Sequence, residues 1–211
     1  MLLGALHHGA CTIQPTTIAF SVTEFIEMIQ RCNLNRLNQF AAFLAVRVRQ
    51  ARQDPKILSL LTSLDEVLYS GMALPREEEE FAYRNNIRLR NLFGSTECGA
   101  TLLSVDGSSL LRPLNGTSYA FMPIESTQPE TGHRSTARML ELIVLSDSPD
   151  CPDQSLRASD GHFHTGDLFQ ETAPYSGAYI FRGRDDDWIK SENSLRCDTK
   201  LVFSISVPIN T

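Results

Sequence analysis

The chain has 211 residues, of which 42% are hydrophobic and 21% are charged, and its formal net charge is −6. This balance is typical of a globular protein and excludes a wholly disordered chain. The negative charge disfavours nucleic acid and anionic membranes as partners, because both carry the same sign of charge.

Three helices are predicted in the first third of the chain. Ser21 and Glu24 have the S-x-x-E spacing of a capping box, and apolar residues recur with a helical period from there to about Arg31. The same period resumes at Phe40 and continues towards Pro55, where proline restricts the residue before it. Apolar residues at 57–61 then predict a short third helix.

A strand, a helix and a second strand are predicted next. Residues 66–69 read as a strand that leads to Gly71, and Pro75 suits the first turn of a helix. Residues 87–93 alternate at first and then become apolar, as in a strand that enters a buried sheet. Residues 1–100 are therefore predicted to form an α/β subdomain.

Two clusters of charge in this region are predicted to be solvated helix faces. Arg47, Arg49 and Arg52 form the tight basic cluster, and surface helices place such charges towards water. The carboxylates at 77–80 lie near the positive end of a predicted helix, where their charge is favourable. Neither cluster predicts a catalytic role.

The pattern changes at Thr101 to short apolar runs separated by glycine, proline, aspartate and asparagine. Such a pattern predicts a β-rich subdomain over residues 101–184. Residues 146–159 are predicted to be an exposed loop or a flexible insertion. Strands are predicted at 102–103, 119–122, 139–145, 168–169 and 179–181, and around Phe163.

Three short motifs carry chemistry that suits a nucleotide. FGSTE at 93–97 ends a predicted strand, and open α/β sheets bind ligands beyond the carboxyl ends of their strands. Its aromatic ring can stack on a purine, its threonine can donate to a phosphate, and its glutamate can bind Mg²⁺. TGD at 165–167 offers a carboxylate to two ribose hydroxyls, and GRDD at 183–186 offers a guanidinium to ribose or phosphate.

The order and spacing of these motifs, with LYSGMAL at 68–74, resemble the adenylate-forming superfamily of acyl- and aryl-CoA synthetases and nonribosomal-peptide adenylation domains. DDDWIK at 185–190 and CDTK at 197–200 are similar to fungal stand-alone or reductase-linked members. The resemblance implies an α/β fold made of an incomplete N-terminal domain and the start of a C-terminal domain. It divides the chain into an α/β sheet portion (1–100), a small β-rich subdomain (101–184) and a hinge with a truncated C-terminal domain (185–211).

The resemblance also implies a reaction and the residues that serve it. Members of the superfamily condense ATP with a carboxylic acid to give an acyl-adenylate and pyrophosphate. They then pass the acyl group to a thiol such as CoA or the phosphopantetheine of a carrier protein. Asp186 would be the hinge about which the C-terminal domain rotates, and Glu97 would bind Mg²⁺. The implied nucleotide-binding residues are Gly71, Asn91, Phe93, Thr96, Asp167 and Arg184.

Some parts of such an enzyme have no counterpart in the sequence. The lysine-containing phosphate loop would lie upstream of Met1, and Lys190 and Lys200 are too close to the hinge to be the adenylating lysine. Residues 201–209 are apolar where a charged helix is expected. We therefore expect a fragment of an AMP-dependent ligase that has no catalytic residue and is inactive alone. A non-catalytic nucleotide-binding protein and an interaction remnant are the alternatives.

The remaining candidates for chemistry are weaker. His162 and His164 would share one face of a strand and could pair on a metal, although the strand that precedes Thr165 in the resembled superfamily explains them better. The start of the chain lacks the basic region of a signal peptide. Reduced thiols and a cytoplasmic location are predicted, because no C-x-x-C pair occurs among Cys11, Cys32, Cys98, Cys151 and Cys197.

Overall fold

The computed structural model describes residue 7 and residues 9–105, 107–124, 139–190 and 196–198. It divides the chain into two units. The first contains Met1–Phe93 and Ser104–Ser109, and the second contains Gly94–Leu103 and Leu110–Thr211. The three-domain division at residues 100 and 184 stays a prediction.

Helices and parallel strands alternate in the described part of the first unit. Strands β1 (Arg36–Phe40), β2 (Glu66–Ser70) and β3 (Leu89–Ser95) lie side by side in that order, and both pairs are parallel. The α/β architecture predicted for this region is confirmed. The helices are α1 (Val22–Cys32), α2 (Ala41–Gln53), α3 (Pro55–Ser63) and α4 (Arg76–Arg84).

The predicted cap of α1 is half formed. The Ser21 hydroxyl accepts a hydrogen bond from the Glu24 amide at 3.1 Å, which is the first half of a capping box and stabilises a helix by about 1 kcal/mol. The Glu24 carboxylate instead accepts from the amide and hydroxyl of Thr16 at 2.7 and 2.8 Å. Asn33 ends the helix in a left-handed conformation with φ 54°.

Strand β1 is the one described element of the first unit that the sequence did not predict. Its residues alternate between exposed and buried, and the two buried positions are Leu37 and Gln39. The polar glutamine at a buried position conceals the period of two. Phe40, which was placed in the second helix, is the last residue of the strand, and α2 begins one residue later.

The interpretation of the basic cluster as a solvated face is wrong for Arg47, which is only 5% exposed. Its guanidinium lies 5.1 and 5.2 Å from the ring centres of Phe20 and Phe25, and Nη2 donates to the Phe20 carbonyl at 2.8 Å. A guanidinium can be buried in this way because it stacks on aromatic faces while it donates hydrogen bonds.

The acidic run is likewise only partly solvated. Glu78 is 5% exposed and lies 3.8 Å from Arg49 and 4.0 Å from Arg52, both on α2. Glu79 is half-buried and accepts a hydrogen bond from the Tyr69 hydroxyl at 2.9 Å. Helix α4 contacts α2, so these two carboxylates face protein rather than water.

The second unit is rich in β-strands, as the sequence predicted, and the pairings among β5 to β9 are antiparallel. Its strand order is β4-β5-β9-β8-β7-β6, and a separate ribbon joins β10 to β11. The two short strands predicted near 163 and 168 are one strand, β8. The strands are β4 (Gly99–Ser104), β5 (Leu111–Pro113), β6 (Tyr119–Pro123), β7 (Met139–Val144), β8 (Phe163–Glu171), β9 (Tyr179–Arg184), β10 (Trp188–Lys190) and β11 (Arg196–Asp198).

Aromatic rings fill the core of this sheet. Phe169 is fully buried, and its ring centre lies 5.5 Å from those of Phe121 and Phe181. Phe121 also stacks on Tyr179 with ring centres 3.6 Å apart. These rings join β6, β8 and β9, and the last two strands carry Asp167 and Arg184, two of the predicted site residues.

Several predictions fall on residues that are not described. They concern the first six residues, Lys200 and the apolar segment at 201–209, all of which lie outside the described residues. None of the helices in the described ranges combines the length and hydrophobicity that a membrane crossing requires.

Candidate functional site

The TGD motif lies in a bulge of β8. Glu141 of β7 pairs with Leu168, and Ile143 pairs with His164, so the three residues 165–167 face a single residue, Leu142. Gly166 adopts a left-handed conformation with φ 70° inside the bulge. A bulge of this kind bends the strand and turns side chains away from the regular ladder.

Side chains satisfy the hydrogen-bonding groups that the bulge removes from the ladder. The Thr165 hydroxyl donates to the Leu142 carbonyl at 2.8 Å and accepts from the Asp167 amide at 3.0 Å. The Glu141 carboxylate accepts from the Gly166 amide at 3.1 Å. Thr165 and Asp167 are 9% and 6% exposed, so the bulge is fixed within the sheet.

The bulge brings together three predicted site residues. Asp167 pairs with Arg184 of β9, and Arg184 Nη1 lies 3.5 Å from Asp167 Oδ1. Arg184 Nε donates to Asp186 Oδ1 at 3.1 Å. A Cβ on Gly166 would lie 3.4 Å from Arg184 Nη2, an ordinary contact distance, so the positive φ rather than crowding favours glycine here.

Asp167 is a carboxylate that has lost much of its water. Burial raises its pKa to about 6, the Arg184 guanidinium opposes that rise, and Asp186, Glu97 and Glu141 add to it. Since an ionised carboxylate with few partners is costly to bury, hydroxyl donors from a ligand would stabilise it. The vicinal hydroxyls of a ribose fit this requirement.

The raised pKa predicts how Asp167 affects stability. Because the folded-state pKa lies above the ordinary 3.8, the folded state gains stability at low pH and loses it as pH rises through about 6. Asp167→Asn should therefore stabilise the protein by about 2 kcal/mol near neutral pH, and the gain should disappear below about pH 4. Urea unfolding near neutral pH and below about pH 4 measures the change in the free energy of unfolding. An equal gain in stability at both pH values, or the same gain in the exposed Asp147→Asn, would show that the raised pKa of Asp167 is not the cause.

Thr96 and Glu97 lie in the turn between β3 and β4, and both are exposed. The pKa of Glu97 is lowered by hydrogen bonds from the Glu97 backbone amide and from the Ser95 hydroxyl, which favours the ionised carboxylate. Among the described residues, no group of three or more histidine, cysteine or acidic side chains is placed to bind a metal. A single carboxylate suits Mg²⁺, which protein carboxylates commonly bind together with substrate phosphates.

The two histidines that were candidates for a metal pair have different partners. His162 Nδ1 accepts a hydrogen bond from the Ser146 amide at 3.0 Å. His164 lies between two carboxylates, with Nδ1 3.2 Å from Glu141 and Nε2 3.0 Å from Asp160. Both imidazoles are therefore hydrogen-bonded to other groups of the protein.

The other three predicted site residues belong to the first unit. Gly71 follows β2 with φ 88°, and a Cβ there would lie 3.2 Å from the Phe40 ring. The backbone amide of Asn91 donates to the Ser104 hydroxyl at 2.8 Å, and Phe93 is half-buried two residues further along β3. These residues lie at or near the carboxyl ends of parallel strands, where such sheets bind ligands.

Glu141 is a residue of the site that no sequence motif predicted. It stands in the apolar run of residues 139–145, which was predicted to be an ordinary strand. A carboxylate inside such a run is the signal that was available, because an acidic residue in a half-buried strand needs a hydrogen-bonding partner. Here the partners are the Gly166 amide and His164.

Two fungal proteins are similar to the chain in sequence. The AMP-binding domain-containing enzyme iboA of Amanita muscaria (strain Koide BX008) is 38% identical over 201 residues, which is 94% of this chain and 38% of that protein. The adenylate-forming reductase Nps10 of Heterobasidion annosum is 27% identical over 144 residues, 65% of this chain and 12% of the reductase. The chain thus spans less than half the length of either relative. No protein-family model matches it.

Solved structures show the same fold. O-succinylbenzoate coenzyme A synthetase from Bacillus subtilis in complex with AMP superposes with a TM-score of 0.71 at 16% identity, over 97% of this chain and 42% of the synthetase. The same enzyme with ATP and magnesium ion gives a TM-score of 0.69 at 17% identity, over 98% and 44%. At these identities the likeness concerns the fold alone.

Proposed function

Because the chain is related to the adenylate-forming enzymes over most of its length, we propose that it carries part of the nucleotide site of an AMP-dependent ligase. In such an enzyme ATP activates a carboxylic acid as an acyl-adenylate, and a thiol of CoA or of a carrier protein then accepts the acyl group. The observation that carries the proposal is the buried Asp167 carboxylate in the β8 bulge. Arg184 Nη1, from β9, lies 3.5 Å from Asp167 Oδ1.

Asp167 and Arg184 would bind the sugar of the nucleotide. The Asp167 carboxylate can accept hydrogen bonds from both ribose hydroxyls, which would replace the water it has lost. Arg184 is half exposed, with 48% of its side chain accessible, so it can turn a donor towards a ribose or phosphate oxygen while it faces Asp167. Asp186, which accepts from Arg184 Nε, would serve as the hinge residue.

The remaining residues would bind phosphate, metal and base. Thr96 and Glu97 stand exposed in the turn after β3, so a phosphate and its Mg²⁺ can reach them. Magnesium would neutralise phosphate charge there, and Glu97 would supply one oxygen ligand. Gly71, Asn91 and Phe93 would contact adenine. The cytoplasmic location stays a prediction.

AMP binding by the 211-residue chain tests the proposal. We expect Mg²⁺-dependent AMP binding in calorimetry, weaker binding of 2′-deoxy-AMP, and about tenfold to hundredfold weaker AMP binding in Asp167→Ala, as expected for the loss of hydrogen bonds to a charged group. The variant should no longer distinguish AMP from 2′-deoxy-AMP, because the group that accepts from the ribose is gone.

Asp147→Asn is a matched control, because it removes an exposed carboxylate from the same unit and should leave AMP affinity unchanged. Circular dichroism of each variant separates lost binding from lost folding. Equal AMP affinity in wild type and in a folded Asp167→Ala would contradict the ribose role. A folded wild-type chain that binds no AMP would contradict the proposed function and favour the interaction remnant.

A further inference from the structure

We propose that Asp160, His164 and Glu141 form a positioning triad that holds the β8 bulge in shape, so that protonation of His164 controls how well Asp167 binds a ribose. This inference rests on the proposed function for its effect on nucleotide binding. Its structural half concerns the bulge alone and can be tested without any nucleotide.

The geometry of the triad links one side chain to two backbone amides. His164 Nδ1 lies 3.2 Å from Glu141 Oε2, and Nε2 lies 3.0 Å from Asp160 Oδ2. The second oxygen of each carboxylate accepts from a backbone amide, at 3.1 Å from Gly166 and at 2.9 Å from His162. His164 therefore orients the carboxylate that satisfies the amide next to Asp167.

Only the charged form of His164 can donate to both carboxylates at once. A neutral imidazole has one N–H and one lone pair, so its lone pair would face an anionic oxygen. The hydrogen bond to Asp160 is the main cause of the raised pKa of His164. Glu141 raises this pKa further, and partial burial opposes the rise. The triad is thus intact at low pH and loses one contact as pH rises through the raised value.

The two carboxylates that contact His164 are Asp160, from the loop before β8, and Glu141, from β7. Arg184 of β9 faces Asp167 instead. His162 is bonded to the Ser146 amide. Because the hydrogen bond to Asp160 is the main one, the neutral imidazole should keep its proton on Nε2, and its Nδ1 lone pair would then face Glu141. The repulsion favours movement of the Glu141 side chain, which would leave the Gly166 amide without its acceptor.

The consequence is larger for the site than for overall stability. Ion pairs of half-exposed groups contribute little to the free energy of unfolding, typically below about 1 kcal/mol. The Gly166 amide, however, lies one residue before Asp167 inside a bulge whose shape directs the carboxylate to Arg184. A small displacement there changes the position of the group that would bind the ligand.

The binding experiment measures AMP affinity between about pH 5 and pH 9, the range in which the two groups titrate. Wild-type affinity should rise as Asp167 ionises near pH 6 and fall about threefold to tenfold at higher pH as His164 loses its proton. In His164→Gln the fall at high pH should be absent. His162→Gln is the matched control and should keep the wild-type profile.

Substitutions of Glu141 separate its acceptor from its charge. Glu141→Gln keeps an oxygen that can accept from the Gly166 amide, so it should retain AMP affinity within about threefold, whereas Glu141→Ala should weaken it about tenfold, the effect of one lost hydrogen bond. Equal weakening in both variants would contradict the acceptor role. An unchanged affinity in Glu141→Ala would overturn the triad.

Amide hydrogen exchange at Gly166, followed by NMR, tests the triad without AMP. After correction for intrinsic rates, protection in wild type should fall as the His164 ring titrates, and Glu141→Ala should lack this protection at every pH. If wild type binds no AMP but shows this behaviour, the proposed function fails and the triad stands. If protection of the Gly166 amide changes neither with the titration of His164 nor in Glu141→Ala, the triad is overturned.

Discussion

Gly94→Ala should unfold the second unit. A Cβ at Gly94 would lie 2.1 Å from the Gly99 carbonyl oxygen and 2.8 Å from the Ala100 Cα. Both are backbone atoms of the next strand, so no side-chain rotation relieves the overlap, and β3 and β4 must separate. We expect a loss of more than about 4 kcal/mol in the free energy of unfolding, which is at the extreme of single substitutions.

Hydrogen exchange with mass spectrometry is the suitable measurement, because it follows peptides of the second unit separately in a chain of two units. Gly99→Ala is the matched control from the same hairpin. Gly99 has φ 71° and open space around it, so alanine there meets conformational strain alone, about 1–2 kcal/mol. Equal losses in the two variants would show that the close approach at Gly94 is not the cause.

Phe169→Ala should cost about 3–5 kcal/mol, the range for a large aromatic side chain removed from a core. Phe169 is fully buried, and its ring centre lies 5.5 Å from those of Phe121 and Phe181. Alanine would leave a cavity between three strands. Since Phe169 follows Asp167 by two residues on β8, AMP affinity should fall together with stability.

Urea unfolding of the second unit measures this cost. Phe169→Leu is the control, because it keeps most of the apolar volume and should lose less than about 2 kcal/mol. Tyr175, which is fully exposed, offers a second aromatic position where alanine should change stability little. A loss in Phe169→Ala no greater than that in Phe169→Leu would contradict the packing role.

Local sequence patterns were sufficient for the elements of the first unit whose buried residues are apolar, whereas β5 of the second unit, which buries Leu111, was not predicted. Helix α3 and strand β2 lie where the pattern predicted them, and α1 ends within one residue of the predicted position. The patterns failed where a buried residue is polar. Gln39 concealed β1, and Arg47 and Glu78 were assigned to water because the aromatic rings and the arginines that cover them lie 22 or more residues away along the chain.

The candidate site shows the same division. The motifs that supply Asp167 and Arg184 were found from the sequence, because each is short and continuous. Their contact depends on the pairing of β8 with β9, and the bulge depends on the register of β8 against β7. Strand register is set by long-range packing, so the role of Glu141 as an acceptor for Gly166 could not be predicted from local sequence.

The path of the chain through the two units limits how it can be dissected by genetic means. The chain passes into the second unit at Gly94, returns to the first at Ser104 and leaves it again at Leu110. A gene that stops after Phe93 would omit Ser104, whose hydroxyl accepts a hydrogen bond from the backbone amide of Asn91 at 2.8 Å. Isolating either unit with both of its segments therefore requires a gene that joins two separate stretches of the sequence rather than a single truncation.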